Sequence, residues 1–396
     1  MSFGRCGEMG RIMGDTRKKE IGMREVHAAH AFFFIGGFGT ATWAPLVPLL
    51  RERLMVGDDV LGMLLLCIGV GSLLTMPLSG ALAMRLGCRR VVMTAAVLFA
   101  AILLLVSCVD TLSLAVPIVL IFGAVMGCID VVVNIVAVLV EKGIGRRIMS
   151  GMHAFWSLGG FVGAGLYGVW VGLLGLTPFQ STAIAAGLIL LLLTAVFGCH
   201  LIPYGGGGGA LLALPRGIIV FVGMTAFIAF LSEGAVMDWG GVYLTTVRGM
   251  DLALAGTGYS VFSAAMLMMR FLGDRVVQRI DALPVAVGGA LLAFGGILLV
   301  MFAPVDALLY VGFFAIGIGS ANIVPVFFSL MGRQNVMPVS AAVSAVSTMG
   351  YLGILAGPAA IGFVSSLTTL QTAFAMLAAL SILQATIGFY VFKRIP

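Results

Sequence analysis

The sequence predicts an all-α membrane protein: twelve transmembrane helices in two six-helix pseudo-repeats, with both termini cytoplasmic. Three observations carry this. The chain of 396 residues is 61% hydrophobic and only 10% charged, whereas soluble domains are about 45–50% apolar and about 25% charged. The apolar residues gather into long runs. The cations gather in short breaks on alternate sides of those runs.

The runs fall at 27–50, 60–84, 91–109, 112–140, 148–174, 179–201, 216–247, 252–272, 283–303, 307–331, 338–366 and 369–392. A helix needs about 20 apolar residues to cross the hydrocarbon core. No strand-like alternation competes, and helices satisfy their own backbone groups in lipid. With the N-terminus inside, 19 of the 22 Lys and Arg fall on the inner side. They lie before run one, at 85–90, at 142–147, at Arg216, at 270–279, at Arg333 and at Lys393-Arg394, while Arg51, Arg53 and Arg248 fall outside. This asymmetry sets orientation and accounts for the net charge of +6 without nucleic acid.

The chain divides into a cytoplasmic tail (1–26), an N-terminal bundle (27–201), a Gly-rich cytoplasmic linker (202–215) and a C-terminal bundle (216–396). The tail is polar and basic, with no apolar core of a signal peptide. Its Arg17-Lys18-Lys19 reads as an inside anchor or a contact to anionic lipid, and Met23 offers a second start. The linker holds Gly205 to Gly209, a flexible composition. Four matches relate the halves. Asn134-Ile135-Val136 recurs as Asn322-Ile323-Val324, 188 positions on, and Ala83-Met84-Arg85 with Arg89 as Gly273-Asp274-Arg275 with Arg279, 190 on. Leu158-Gly159 with Gly163 and Gly168 recurs as Leu352-Gly353 with Gly357 and Gly362, 194 on, and Trp43 as Trp239, 196 on. Parallel repeats with a midplane site between them are a transporter architecture.

Gly80-Ala81-Leu82-Ala83-Met84-Arg85-Leu86-Gly87-Cys88-Arg89-Arg90 resembles the G-x-L-A-D-R-x-G-x-R-R loop of the major facilitator superfamily. The resemblance spans the chain. It is closest to the fucose-permease-like sugar transporters and to the YbjJ-type inner-membrane permease group, through Met152-His153-Ala154-Phe155-Trp156-Ser157-Leu158-Gly159, Glu233-Gly234 with Asp238-Trp239, and Gly350-Tyr351-Leu352 with Gly357-Pro358. It implies a bacterial inner-membrane protein that works as a monomer. It also implies that the loop latches the inner side of the halves through Arg85 and Arg89, with Met84 standing where the motif has Asp. Asp274 and Arg275 would form the better-preserved second latch.

Three carboxylates lie well inside the runs: Asp130, Glu233 and Asp238. At about 1.5 Å per residue, Asp130 lies roughly 16 Å from Glu141, near the middle of a ~30 Å core. Glu233 lies near the midplane too, and Asp238 in the outer half. A central charge costs about 2.5–3.5 kcal/mol on insertion scales. Desolvation favours the neutral form of a carboxyl, which suits a proton relay; the bland alternative is a neutral, hydrogen-bonded packing residue. Asp130 and Glu233 are the proton-coupling candidates. Asp-x-x-x-Asn, with Asn134 one turn on, is similar to a helix of fucose permease whose acid couples protons. The second acid of that family's first helix is missing here, and Glu233 could replace it.

The substrate-binding candidates are Asn134, His153, Trp156, Asn322, Trp239 and Asp238. His153 and Trp156 are three apart on one helical face, an aromatic and polar wall suited to a sugar. Their bland alternatives are an internal hydrogen bond and core packing, and Asn322 could equally join two helices. Arg270 and Asp274, one turn apart, are read as a local ion pair in the gate. Gly357-Pro358 reads as a bend, and run five lacks the Gly-Pro motif of the superfamily's drug/proton antiporters.

The six cysteines form no CxxC pair, and the four histidines make no metal set. Nucleophile-elbow, HExxH and P-loop signatures are absent. The chain is therefore expected to be no enzyme, with no cofactor or metal. The expected partners are the lipid bilayer, protons and a small solute, a sugar or related metabolite. The rival readings are a drug or metabolite exporter working as a proton antiporter, and a membrane sensor or scaffold on a transporter fold.

Overall fold

A computed structural model describes residues 22–198, 214–250 and 256–395. Arg17-Lys18-Lys19 and the Gly205–Gly209 run lie outside the described residues. All regular structure among the described residues is helical, in the order α1 (Met23–Trp43), α2 (Leu46–Leu54), α3 (Asp58–Leu86), α4 (Cys88–Cys108), α5 (Leu112–Ile144), α6 (Met149–Gly168), α7 (Pro178–Val196), α8 (Ile218–Val242), α9 (Thr257–Ile280), α10 (Ala282–Phe302), α11 (Asp306–Ser320), α12 (Ile323–Met331), α13 (Val339–Leu367) and α14 (Leu370–Phe392). Helices α6 and α8 each end in a five-residue π-helical turn, Val169–Leu173 and Tyr243–Val247.

Two of the apolar runs are broken, and proline explains both. Proline lacks a backbone donor, and its ring crowds the carbonyl four residues earlier. In the run at 27–50, Pro45 faces the Ala41 carbonyl, which accepts from the Ala44 amide instead, and the chain restarts as α2. In the run at 307–331, Pro325 faces the Ala321 carbonyl, and the helix parts at Ala321-Asn322 into α11 and α12. That second break takes a carbonyl out of the helix ladder in the interior of the run.

Ten helical stretches among the described residues are long and apolar enough to cross a membrane. Helices α1 and α9, though 21 and 24 residues long, are not among them. The first carries His27 and His30, and the second Arg270, Asp274, Arg275 and Arg279. These polar groups lower the mean hydropathy of helices that face other helices.

The halves share one packing plan. Helix α1 packs on α6 as α8 packs on α13; α3 pairs with α5 as α9 pairs with α11; α4 pairs with α7 as α10 pairs with α14. The repeated glycines show why. A Cβ on Gly159 or Gly163 would strike the carbonyls of Phe34 and Phe38 on α1, and one on Gly353 or Gly357 those of Phe227 and Leu231 on α8. Small residues let membrane helices approach to backbone contact.

The halves meet through α3 and α5 against α13, and through α6 against α9 and α12. Several of these contacts gather at the end that carries the basic loops. Gly80 lies against the Ser340 carbonyl, and the Ser344 hydroxyl donates to the Met76 carbonyl. Gln278 donates to the Arg147 carbonyl at 3.0 Å.

Overpacking a tight contact costs about 1–3 kcal/mol. Gly159→Val and Gly353→Val are each expected to lower the melting temperature of the purified protein. Gly165→Ala, whose added Cβ meets nothing within 4 Å, is expected to leave it unchanged or raise it. Thermal unfolding monitored by tryptophan fluorescence checks all three.

Candidate functional site

A cavity of 190 Å³ lies between the halves. Four of its helices, α5, α6, α8 and α13, reach it with residues three or four apart, the spacing that puts side chains on one helical face. From the N-terminal half come Met126 and Asp130 of α5 and His153 and Trp156 of α6, with Phe33 and Met76. From the C-terminal half come Phe230 and Glu233 of α8 and Ser347, Tyr351 and Ile354 of α13, with Arg270 of α9. Most of the wall is apolar or aromatic, and its polar groups are few.

The carboxylate of Asp130 has no hydrogen-bond or ion partner among the described residues. Tyr351, beside Ser72, lies within its electrostatic reach. The glycines on the same helix explain how α5 is held. A Cβ on Gly123 or Gly127 would strike Ile68 or Ser72 of α3, so α5 is clamped to α3 just before Asp130.

Arg270 is the second centre. Its Nη2 lies 3.9 Å from Glu233 Oε2, with the two side chains 10% and 28% exposed. Its Nη1 donates to the Ser157 hydroxyl at 2.8 Å. Its Nε reaches the Ala321 carbonyl at 3.4 Å, the carbonyl that Pro325 removes from the helix ladder. The guanidinium thus ties α6 of one half to α8 and the α11–α12 break of the other. Proline 325 and Arg270 are 55 positions apart in the chain, so spacing gave no sign of this partnership.

This geometry corrects the expected Arg270–Asp274 pair. Asp274 instead accepts from the backbone amides of Ser150 and Gly151, both at 2.9 Å. Glu141 accepts from those of Ile148 and Met149 at 2.8 and 3.1 Å. Both acids cap the free amides at the start of α6, where the helix dipole also favours negative charge. One cap comes from within the half and the other across the interface. Arginine 270 points the other way, into the cavity.

The remaining candidates scatter. His153 sits between Phe33 and Phe328 at ring distances of 5.3 and 6.0 Å, with Nε2 unpartnered. Trp156 meets Phe33 edge-on at 6.4 Å. Asn134, expected at the cavity, is buried outside its lining and folds its amide back onto the Asp130 carbonyl at 2.9 Å. Asn322 is likewise buried, reaching the Met269 carbonyl at 3.4 Å. Trp239 donates to the Pro358 carbonyl at 3.1 Å, and Asp238 is exposed; neither lines the cavity. Among the described residues, Arg85 and Arg275 form no hydrogen bond or salt bridge across the halves. Arg89 donates to the Phe197 carbonyl and lies over that ring, within its own half. The described residues hold no cluster of three or more metal-ligating side chains.

The family model described as Major Facilitator Superfamily matches residues 30–335. The chain belongs to that superfamily. It is 44% identical over 352 residues to an uncharacterised MFS-type transporter of Yersinia pestis, covering 88% of this chain and 91% of the relative. Its fold is similar to that of the E. coli fucose:proton symporter, with TM-score 0.77 at 16% identity over 92% of this chain and 98% of that one. A second structure of the same transporter, in the outward conformation, has TM-score 0.76 at 17% identity, covering 92% and 98%. In this superfamily member the loop acid missing at Met84 has left a side chain that is 8% exposed, while the acid at Asp274 closes onto α6.

Breaking a buried charge pair strands the remaining charge. Glu233→Met leaves Arg270, the more buried partner, and is expected to destabilise more than Arg270→Met. The double variant is expected to recover about 1–3 kcal/mol relative to the sum of the singles. Melting temperatures of the four proteins check the coupling.

Proposed function

We propose that this superfamily member is a proton-coupled secondary transporter of a small polar solute, a sugar or related metabolite. In this reading twelve helices cross the inner membrane, with α1 and α9 shielded by their neighbours, and both termini face the cytoplasm. The two six-helix bundles rock about the cavity to give alternating access.

The observation that carries the reading is Asp130: a carboxylate with no hydrogen-bond or ion partner among the described residues, on the wall of a cavity built by both halves. An unpaired charge in a low-dielectric site is costly, and taking up a proton removes the cost. Glu233 differs, because Arg270 stands beside it. Asp130 would therefore carry the proton, while the Glu233–Arg270 pair would exchange partners with the hydroxyls of a bound solute. Phe33, Trp156 and Tyr351 offer faces for its apolar side.

Size favours a small solute over a bulky drug: 190 Å³ lies below the ~300 Å³ at which drug-sized pockets begin. The positive-inside rule would place the basic loops in the cytoplasm. The contacts between the halves at that end then support a state closed toward the cytoplasm.

The test uses purified protein in liposomes, with a substrate first identified by thermal shift against sugars and sugar acids. Asp130→Asn is expected to abolish uptake driven by a proton gradient and substrate-induced proton entry, while substrate exchange persists. Gradient-driven uptake at the wild-type rate would reject the coupling role. Proton release on substrate entry would turn the reading to an antiporter.

A further inference from the structure

A second cavity, of 280 Å³, lies at the end of the molecule that carries the basic loops. It is separate from the central one and shares no lining residue with it. Its walls hold four cations: Lys142, Arg146 and Arg147 from the α5–α6 connection, and Arg333 from the end of α12. One half supplies three and the other supplies one, with Ser329 and the Gly332 backbone beside it.

None of the four cationic side chains forms a hydrogen bond or a close salt bridge among the described residues, and Arg147 Nη1 is buried without a partner. Such an orphaned donor calls for a partner. The nearby acids do not supply it. Glu141, on the wall, is engaged by the Ile148 and Met149 amides, and Asp274 by those of Ser150 and Gly151. Glu141 on the wall and Asp274, which interacts electrostatically with Arg146, offset only part of this charge, so the cations remain in excess around a space open to solvent. Topology alone requires cations on this side of the membrane, but it does not require them to converge on one cavity from both halves.

We propose that this cavity binds a phosphoryl anion, either a lipid headgroup or soluble phosphate. Three guanidinium forks and an ammonium match phosphate oxygens in geometry and charge, and the Ser329 hydroxyl adds a neutral donor. The site exists only while α12 lies against the α5–α6 connection. An anion bound there holds the two halves together at this end, so its binding free energy favours the closed arrangement seen here.

The experiment uses the full chain, purified and delipidated in detergent. Sodium phosphate and sodium pyrophosphate are compared with sodium chloride at equal ionic strength. The phosphates are expected to raise the melting temperature by a few degrees, by mass action on the native state, and chloride to leave it unchanged. Arg147→Gln with Arg333→Gln is expected to remove at least half of the shift. Because burial at Arg147 could compromise folding, Arg333→Gln alone, at an exposed position, is the second variant and is expected to weaken the shift. Native mass spectrometry from phosphatidylglycerol and phosphatidylcholine nanodiscs separates the sources. Phosphatidylglycerol retained by the wild type and lost by the variant assigns the site to a lipid headgroup. A phosphate shift without retained lipid assigns it to a soluble anion. Equal behaviour of wild type and variants toward both probes overturns the proposal. Neither readout depends on transport, so the result stands apart from the fate of the proton-coupling reading.

Discussion

A guanidinium placed among apolar helices has to find partners, and the partners found by Arg270 organise the centre of this protein. It takes a hydroxyl from α6, a carboxylate from α8 and a backbone carbonyl from the α11–α12 break. The carbonyl is there because Pro325 stops the helix ladder. A proline in one helix and an arginine in another therefore answer each other's unsatisfied groups, where lipid offers neither any water. One of these contacts, to Ser157 of α6, crosses between the halves, so the charge that is hardest to bury also joins the two bundles.

Around that centre the repeated glycines set distance. Gly159 and Gly163 on α6, and Gly353 and Gly357 on α13, admit a neighbouring helix to backbone contact in equivalent places of the two halves. Close packing on this scale gives α6 and α13 little freedom to shift within their own half, which suits bundles that move as units. The contacts between the halves mix two kinds: Asp274 on the α6 amides, Gln278 on the Arg147 carbonyl and Ser344 on the Met76 carbonyl are polar, and beside them an apolar cluster runs from α5 to α12 and α13.

The acids of the chain divide according to what surrounds them. Asp274 and Glu141 spend their charge on helix amides, and Glu233 stands beside Arg270. Asp130 has none of these. These four carboxylates thus hold two structural posts, one paired post and one open one. The proposed role of Asp130 rests on that difference.

Much of this was legible in the residues themselves. Composition, run length and cation placement required membrane helices, because apolar surface and backbone hydrogen bonding leave a chain in lipid no other form. Local spacing identified the faces of His153 with Trp156 and the depth of Asp130 and Glu233, since helical periodicity is a property of the chain alone. Spacing failed where partners come from elsewhere. It paired Arg270 with Asp274 because they are one turn apart, yet Asp274 caps the start of α6 while Arg270 reaches Ser157 further along it, Glu233 and the Ala321 carbonyl. It put Asn134 in the cavity by periodicity, yet the amide bonds to its own backbone. Tertiary structure decided these points, because a buried polar group goes to whichever partner satisfies it, and Ser157 for Arg270 and the Ser150 and Gly151 amides for Asp274 stand on a helix more than a hundred positions away.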